Sequence, residues 1–337
     1  MGIKPGFALR GLAVAGFLLP AAAAAQETLL DGLDYPWDIE AAAEAIYITE
    51  KAGTIGVFDG QRFTRMPVRT SAPILNDKGG GLLGLALRPD FAESRRAVAY
   101  QHMGTPEARS NRVIEIELDG GGWRETRVLL DAIPGHPLYN GGRLAFGPDG
   151  MLYVTTGWTE NRERPQDLQS LAGKILRLTP EGAVPADNPW PGSPVWSLGH
   201  RNPQGLAWDA DGQLYAAEHG QSGHDEVNRI ERGANYGWPL IEGDETRDGM
   251  RAPLVHSGGR TWAPSGLAWD GDHLVLASLR AGSVLRIGTD GSQRGAIDLG
   301  ARIRDVLVLG DHIYAITTTR SPRRDGVSDD RMIRISR

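Results

Sequence analysis

One phrase, recurring about every fifty residues, restricts what this chain can fold into. A glycine opens a run of alternating apolar residues, an Asp-Gly-type turn follows, and a second alternating run closes it. The phrase stands at Trp37-Asp-Ile to Ala45-Ile-Tyr-Ile-Thr49, at Gly81-Leu-Leu-Gly-Leu-Ala-Leu-Arg-Pro-Asp90 and at Gly142-Arg-Leu-Ala-Phe-Gly-Pro-Asp-Gly-Met-Leu-Tyr-Val-Thr-Thr156. It returns at Gly205 to Ala216, at Gly266 to Ala277 and at Ile303 to Ile316. Alternation of period two across a turn is the signal of a β-hairpin. Six copies at this spacing predict an all-β chain in the form of a six-bladed β-propeller, about fifty residues being one four-stranded blade.

Other segments supply the later strands of each blade: Gly53 to Asp59, Gly173 to Leu178, Ser283 to Ile287 and Arg331 to Ile335. No stretch carries helical periodicity over ten residues. A propeller gathers the loops that enter its innermost strands around one axis, so a ligand site is expected there. Those loops contain Asn76 to Gly80, His136 to Asn140, Gly199 to Gln204, Arg260 to Pro264 and Arg302.

The first 25 residues read differently. Lys4 and Arg10 precede an apolar run from Gly11 to Pro20 and five alanines, Ala21 to Ala25. A basic start, a short apolar stretch and a small-residue site predict a secretory leader over 1–25, with a single propeller domain over 26–337 and a periplasmic or secreted destination. The run is too short to span a bilayer, which takes about twenty residues. Without Lys4 and Arg10 the formal charge moves from −6 to −8, a balance that serves solubility and does not point to nucleic acid. The chain has no cysteine, so any metal must be held by oxygen or histidine.

Three polar, glycine-punctuated segments lie within about forty residues of one another: Ser197-Leu-Gly-His-Arg-Asn-Pro-Gln-Gly-Leu-Ala-Trp208, Glu218-His-Gly-Gln-Ser-Gly-His-Asp-Glu-Val-Asn228 and Gly233-Ala-Asn-Tyr-Gly-Trp-Pro239. On these residues the chain resembles the soluble aldose sugar dehydrogenases of the glucose/sorbosone dehydrogenase type, which depend on pyrroloquinoline quinone (PQQ). Gln166-Asp167, Gly173-Lys174, Asp187-Asn-Pro189 and Trp262-Ala-Pro-Ser265 extend the resemblance over nearly the whole of 26–337.

The resemblance implies a six-bladed propeller that oxidises an aldose or similar alcohol by hydride transfer to Ca²⁺-bound PQQ. It places Arg201 and Asn202 at the quinone and the reacting sugar, and Arg280, Arg302 and Arg304 at the PQQ carboxylates. It implies that carbonyls of Gly220 and Gln221 hold the cofactor's Ca²⁺, and that Glu226 and Tyr236 contribute to a second, structural Ca²⁺. The residue types suit these roles. Arginines are fixed donors for a flat polyanion, oxygen ligands suit Ca²⁺, and a cation beside the quinone stabilises charge arriving there. Arg302 and Arg304, two apart, would share one face of a strand.

The chain departs from the family where the family carries its base. His-x-Gly-Gly-Arg becomes Tyr139-Asn-Gly-Gly-Arg143, and the supporting Asp after Tyr-Val-Thr-Thr-Gly becomes Trp158. A tyrosine hydroxyl, titrating near 10 in water, is a weak base at neutral pH unless a cation assists it. The proton acceptor is therefore open between Tyr139, His136 and water. Gly79 replaces a glutamine, and Arg247 stands near a family tyrosine. The alternatives to the dehydrogenase are a propeller that binds a ligand or protein partner without turning it over, and Ca²⁺-dependent lactone hydrolysis, which rests on fold analogy alone.

Overall fold

The computed structural model describes residues 26–323 and 326–337; the leader expected over 1–25 lies outside the described residues. The fold is all-β. After β1 (Gln26–Leu33) comes a meander of β2 (Pro36–Ala42), β3 (Ala45–Glu50), β4 (Thr54–Phe58) and β5 (Phe63–Arg69). The second meander runs β6 (Leu82–Leu87), β7 (Arg96–Gly104), β8 (Arg109–Asp119) and β9 (Gly122–Pro134), with the one-turn helix α1 (Phe91–Ser94) after β6. The third is β10 (Gly141–Phe146), β11 (Leu152–Thr156), β12 (Lys174–Leu178) and β13 (Val195–Leu198). The fourth is β14 (Pro203–Trp208), β15 (Leu214–Glu218), β16 (Glu226–Ile230) and β17 (Val255–His256). The fifth is β18 (Pro264–Trp269), β19 (Leu274–Ser278), β20 (Ser283–Ile287) and β21 (Gln293–Asp298), and the chain ends with β22 (Ile303–Leu309), β23 (His312–Thr317) and β24 (Asp330–Ser336).

Each copy of the phrase supplies the first strand of a meander, and five of the six also supply the second. The exception is the copy at Gly81, where α1 separates β6 from β7. The turns work as their residues require. Asp149, Asp209 and Asp270 each accept main-chain N–H groups two or more residues ahead through Oδ1, which closes the turn as an Asx motif. Gly150 and Gly212 take the positive φ values of 74° and 79° that the turn demands.

Among the described residues the sheets number four of four strands and one of eight. The eight-stranded sheet joins the first two meanders through a short parallel pairing of β5 with β9, Val68 to Trp123 and Arg69 to Arg124. The last sheet is completed from the other end of the chain, β1 pairing antiparallel with β24. The first strands of successive meanders touch in a closed ring, β2 to β6, β10, β14, β18, β22 and back to β2. The glycines of the phrase allow this approach. A Cβ at Gly84 would lie 2.2 Å from the Gly142 carbonyl oxygen, one at Gly205 would lie 2.4 Å from that of Ser265, and one at Gly266 would lie 1.6 Å from Asp305 Oδ1. Apolar residues between the sheets, such as Leu83, Leu144, Val154 and Leu176, form the core.

At the ring's centre Arg143 of β10 ties the strands together. Its Nη1 lies 2.7 Å from Asp38 Oδ2 of β2 and 2.6 Å from Asp305 Oδ2 of β22, and its Nε donates to the Gln204 carbonyl of β14 at 2.8 Å. Asp38 Oδ2 also accepts the Leu85 N–H of β6. All three charged side chains are buried. Burial, reinforced by Asp305, raises the Asp38 pKa to about 8 against the pull of Arg143.

Two expectations follow. Arg143→Met leaves Asp38 and Asp305 buried without their cation, so urea unfolding should show a loss of about 3–5 kcal/mol; a loss under about 1 kcal/mol would contradict this role. Asp38 keeps its proton in the fold to about pH 8 but would lose it near 3.8 when unfolded. Its contribution is therefore complete at acid pH and falls as pH rises across that window. Asp38→Asn should flatten that part of the dependence of melting temperature on pH.

Candidate active site

The loops entering the first strands converge on an axial cavity of about 130 Å³, lined among others by Tyr139, Asn202, Gln204, His219, Arg304 and Arg323. Asn202 is buried; its Oδ1 accepts the Gly141 N–H at 3.0 Å, which leaves its amide N–H groups for a ligand. Arg304 Nη1 donates to Gln204 Oε1 and Ser265 Oγ at 3.1 and 3.2 Å. Burial lowers the Arg304 pKa to about 10, with the charges of Arg302 and Arg143 acting in the same direction. Arg302 opens on an adjoining cavity with Thr317, Thr318, Thr319 and Arg320. Arg302 precedes β22, and the β22–β23 register is irregular between Ile303 and Asp305, so strand alternation alone does not set the relative direction of the two arginines. Arg280 is exposed on the turn after β19, and Arg247 is exposed and does not line the axial cavity.

Arg201 is buried inside an aromatic cage. Its guanidinium lies 4.7 Å from the Tyr139 ring centroid, 5.6 Å from Trp158 and 5.3 Å from Trp238, and Nη1 donates to the His219 carbonyl at 3.2 Å. Burial lowers its pKa. The two residues expected to depart from the resembled pattern thus meet in space: the Tyr139 and Trp158 rings are 6.0 Å apart, both facing Arg201. Gly157 explains the close fit, since a Cβ there would lie 2.2 Å from the Tyr139 carbonyl oxygen. Arg323 donates to the Tyr139 hydroxyl at 3.0 Å.

His136 is a clasp for its own loop. Its Nδ1 accepts the N–H groups of Leu138 and Tyr139 at 3.0 and 3.2 Å. The proton therefore sits on Nε2, which faces Glu160 at 3.4 Å. In this arrangement its lone pair is not free to take a substrate proton. Gly79 is set by packing, because a Cβ would lie 2.8 Å from the Pro137 carbonyl oxygen. His219, which the sequence marked only as part of a motif, lines the cavity; burial lowers its pKa to about 4, so it is neutral.

A polyanion fits this site. The Nε atoms of Arg201, Arg302 and Arg304 are buried without a hydrogen-bond partner. Among the described residues none of the three is paired with a carboxylate. Oxygen ligation of a cation fits the adjoining loop. The Gly220 and Gln221 carbonyls accept no hydrogen bond, while Asp225 pins the loop by accepting the Gly220 N–H through Oδ1 and the Trp262 and Ala263 N–H groups through Oδ2. Glu226 faces Glu218 across β15–β16, and burial with the Glu218 charge raises its pKa to about 8. Asn228 Oδ1 and Glu242 Oε2 beside it have no donor. The Tyr236 hydroxyl is taken by Arg229 and Glu231, so Tyr236 can offer a metal only its main-chain oxygen. Among the described residues no three acidic or histidine side chains converge as a metal site on their own.

The chain is similar in sequence and fold to known proteins. The sequence model of the family described as Glucose / Sorbosone dehydrogenase matches residues 33–324. Aldose sugar dehydrogenase YliI of Escherichia coli is 32% identical, with 88% of this chain and 90% of that protein aligned. Quinoprotein glucose dehydrogenase B of Acinetobacter calcoaceticus is 31% identical over 59% of this chain and 48% of its own length. The PQQ-bound aldose sugar dehydrogenase of Streptomyces coelicolor superposes with a TM-score of 0.84 at 33% identity, covering 94% of this chain and all of that one.

Trp158 fills the space behind Arg201, so Trp158→Ala should cost about 3–5 kcal/mol of stability in urea unfolding. Trp158→Phe, which keeps an aromatic face toward the guanidinium, should cost less than half as much.

Proposed function

Since the chain belongs to the glucose/sorbosone dehydrogenase family, we propose that it is an exported PQQ- and Ca²⁺-dependent dehydrogenase of an aldose or similar small polyhydroxylated alcohol. The domain is read as a six-bladed propeller over 26–337, the eight-stranded sheet counting as two blades joined at their outer edges. The observation that carries the reading is the set of buried arginine Nε donors without acceptors among the described residues: Arg304 at the axial cavity, Arg302 at the adjoining one and Arg201 in its aromatic cage.

PQQ, when bound with Ca²⁺, would supply the hydride-accepting carbonyl and its Lewis-acid polarisation. The chain's residues do the rest. Arg302 and Arg304, with Arg280 at the mouth, hold the carboxylates. Arg201 brings a poorly hydrated cation to the reacting end, where the cage fixes it before negative charge develops. Asn202 offers its free amide to the substrate or the quinone. Gly220 and Gln221 present carbonyls to the cofactor's cation, and Glu226 with the Tyr236 carbonyl serves the second. With His136 engaged, the hydroxyl proton passes to Tyr139 or to water, and Arg323 is the cation beside Tyr139. No helix of the described residues is long and apolar enough to cross a membrane.

The Tyr139–Trp158 cage also supports a second reading, a propeller that binds its ligand without oxidising it. Titration of the protein with PQQ and Ca²⁺, followed by absorbance, tests the first reading. Saturable micromolar or tighter binding, abolished by Arg304→Ala, is expected; no binding would overturn it. Addition of aldoses with a dye acceptor then separates the two. If Tyr139 takes the proton as its phenolate, becoming the phenol, Tyr139→Phe lowers sugar-dependent reduction about 10²-fold or more, and Tyr139→His keeps or raises it. Bound PQQ that no sugar reduces favours the second reading.

A further inference from the structure

Beside the arginines stands a residue that no motif marked. Tyr35 precedes β2 with φ of 52°, a conformation that bulky residues seldom adopt outside constrained sites. Its N–H donates to Ser328 Oγ at 2.8 Å, and its carbonyl accepts the Lys51 N–H at 3.3 Å. Two cations grip the ring, with Lys51 Nζ 3.9 Å and the Arg320 guanidinium 5.7 Å from its centroid. Tyr35 is 7% exposed, and its hydroxyl is buried without a hydrogen-bond partner among the described residues.

The surroundings of that hydroxyl are cationic. Burial raises the Tyr35 pKa, opposed by Arg304, then Arg302 and Arg320. The phenol therefore stays protonated and remains a donor. Asp330, the acid that acts on it, has its own oxygens occupied by Thr317, Thr319 and Ser328. Among the described residues the Nε atoms of Arg302, Arg304 and Arg320 are likewise buried without acceptors, while Arg320 Nη2 pairs with Asp34 Oδ1 at 3.0 Å. Four donors around one region without an acceptor are costly to bury. The missing partner is an oxygen anion.

We propose that Tyr35 is a ligand-binding residue, its hydroxyl donating to a carboxylate oxygen of the anionic ligand that Arg302 and Arg304 hold. The choice of PQQ as that ligand rests on the function proposed above. The donor set itself asks only for a compact polycarboxylate.

The test uses Tyr35→Phe, which keeps the ring between Lys51 and Arg320 and removes only an unpartnered hydroxyl. The variant should melt with the parent protein, because deleting an unsatisfied buried group is close to neutral. Both proteins are titrated by calorimetry with PQQ in Ca²⁺ and, separately, with benzene-1,3,5-tricarboxylate. Affinity for either ligand lower by about tenfold or more in Tyr35→Phe, as for a lost bond to a charged group, is the expected result. Equal affinity in the two proteins overturns the proposal and leaves the cofactor reading intact. Failure of the parent to bind PQQ, with tricarboxylate binding that weakens in the variant, overturns the cofactor reading and keeps Tyr35 as an anion ligand. Binding of neither ligand overturns both.

Discussion

A single guanidinium holds the axis together. Arg143 reaches β2, β14 and β22 directly, and β6 through Asp38. Sheets packed as spokes share few main-chain hydrogen bonds, so something at the hub must fix their relative height. A buried arginine between two aspartates is an expensive way to do so. It is also directional where apolar packing is not, and the glycines of the repeat keep the strands close enough for one side chain to span them.

The same constraint divides the axis by charge. On one side lie Asp38, Glu40 and Asp305 around Arg143, a cluster with more acids than bases, where burial pushes protons onto Asp38 and Glu40. On the other lie Arg201, Arg302 and Arg304, bases without acids. Trp37 joins the two halves, its ring 4.5 Å from the Arg143 guanidinium and 5.9 Å from that of Arg304. In the acidic half Arg143 has two carboxylate partners. In the basic half no carboxylate among the described residues pairs with Arg201, Arg302 or Arg304, and it is there that an anionic ligand is proposed.

Much of the architecture was legible because its causes are local. Alternation, Asx turns and a glycine where strands crowd are properties of ten consecutive residues, and they marked the hairpins. The joining of β5 to β9 was not legible, since two residues of parallel pairing leave no pattern. In the site, Tyr139 and Trp158 stood out in the sequence as expected departures from the resembled pattern, but the cage they build on Arg201 with Trp238 did not. The loop role of His136 became visible only when its Nδ1 was seen accepting two amide protons. Tyr35, Lys51 and Arg320 escaped because their meaning lies in proximity to residues almost three hundred positions away. Tyr236 was marked for its oxygen, yet its hydroxyl proved to be engaged.

The pairing of β1 with β24 sets Gln26 opposite Ile335. The ring is thus shut by a clasp whose two halves are the first and last strands described. Until both are present the final sheet lacks an edge, and that contact spans almost the full contour of the chain. Closure is then a late, long-range event in folding, and a chain still emerging from the ribosome can stack its earlier sheets but cannot lock the circle. The two ends of the circle, lying side by side, also make its starting point arbitrary: a chain cut at another surface turn and joined here would trace the same closed path.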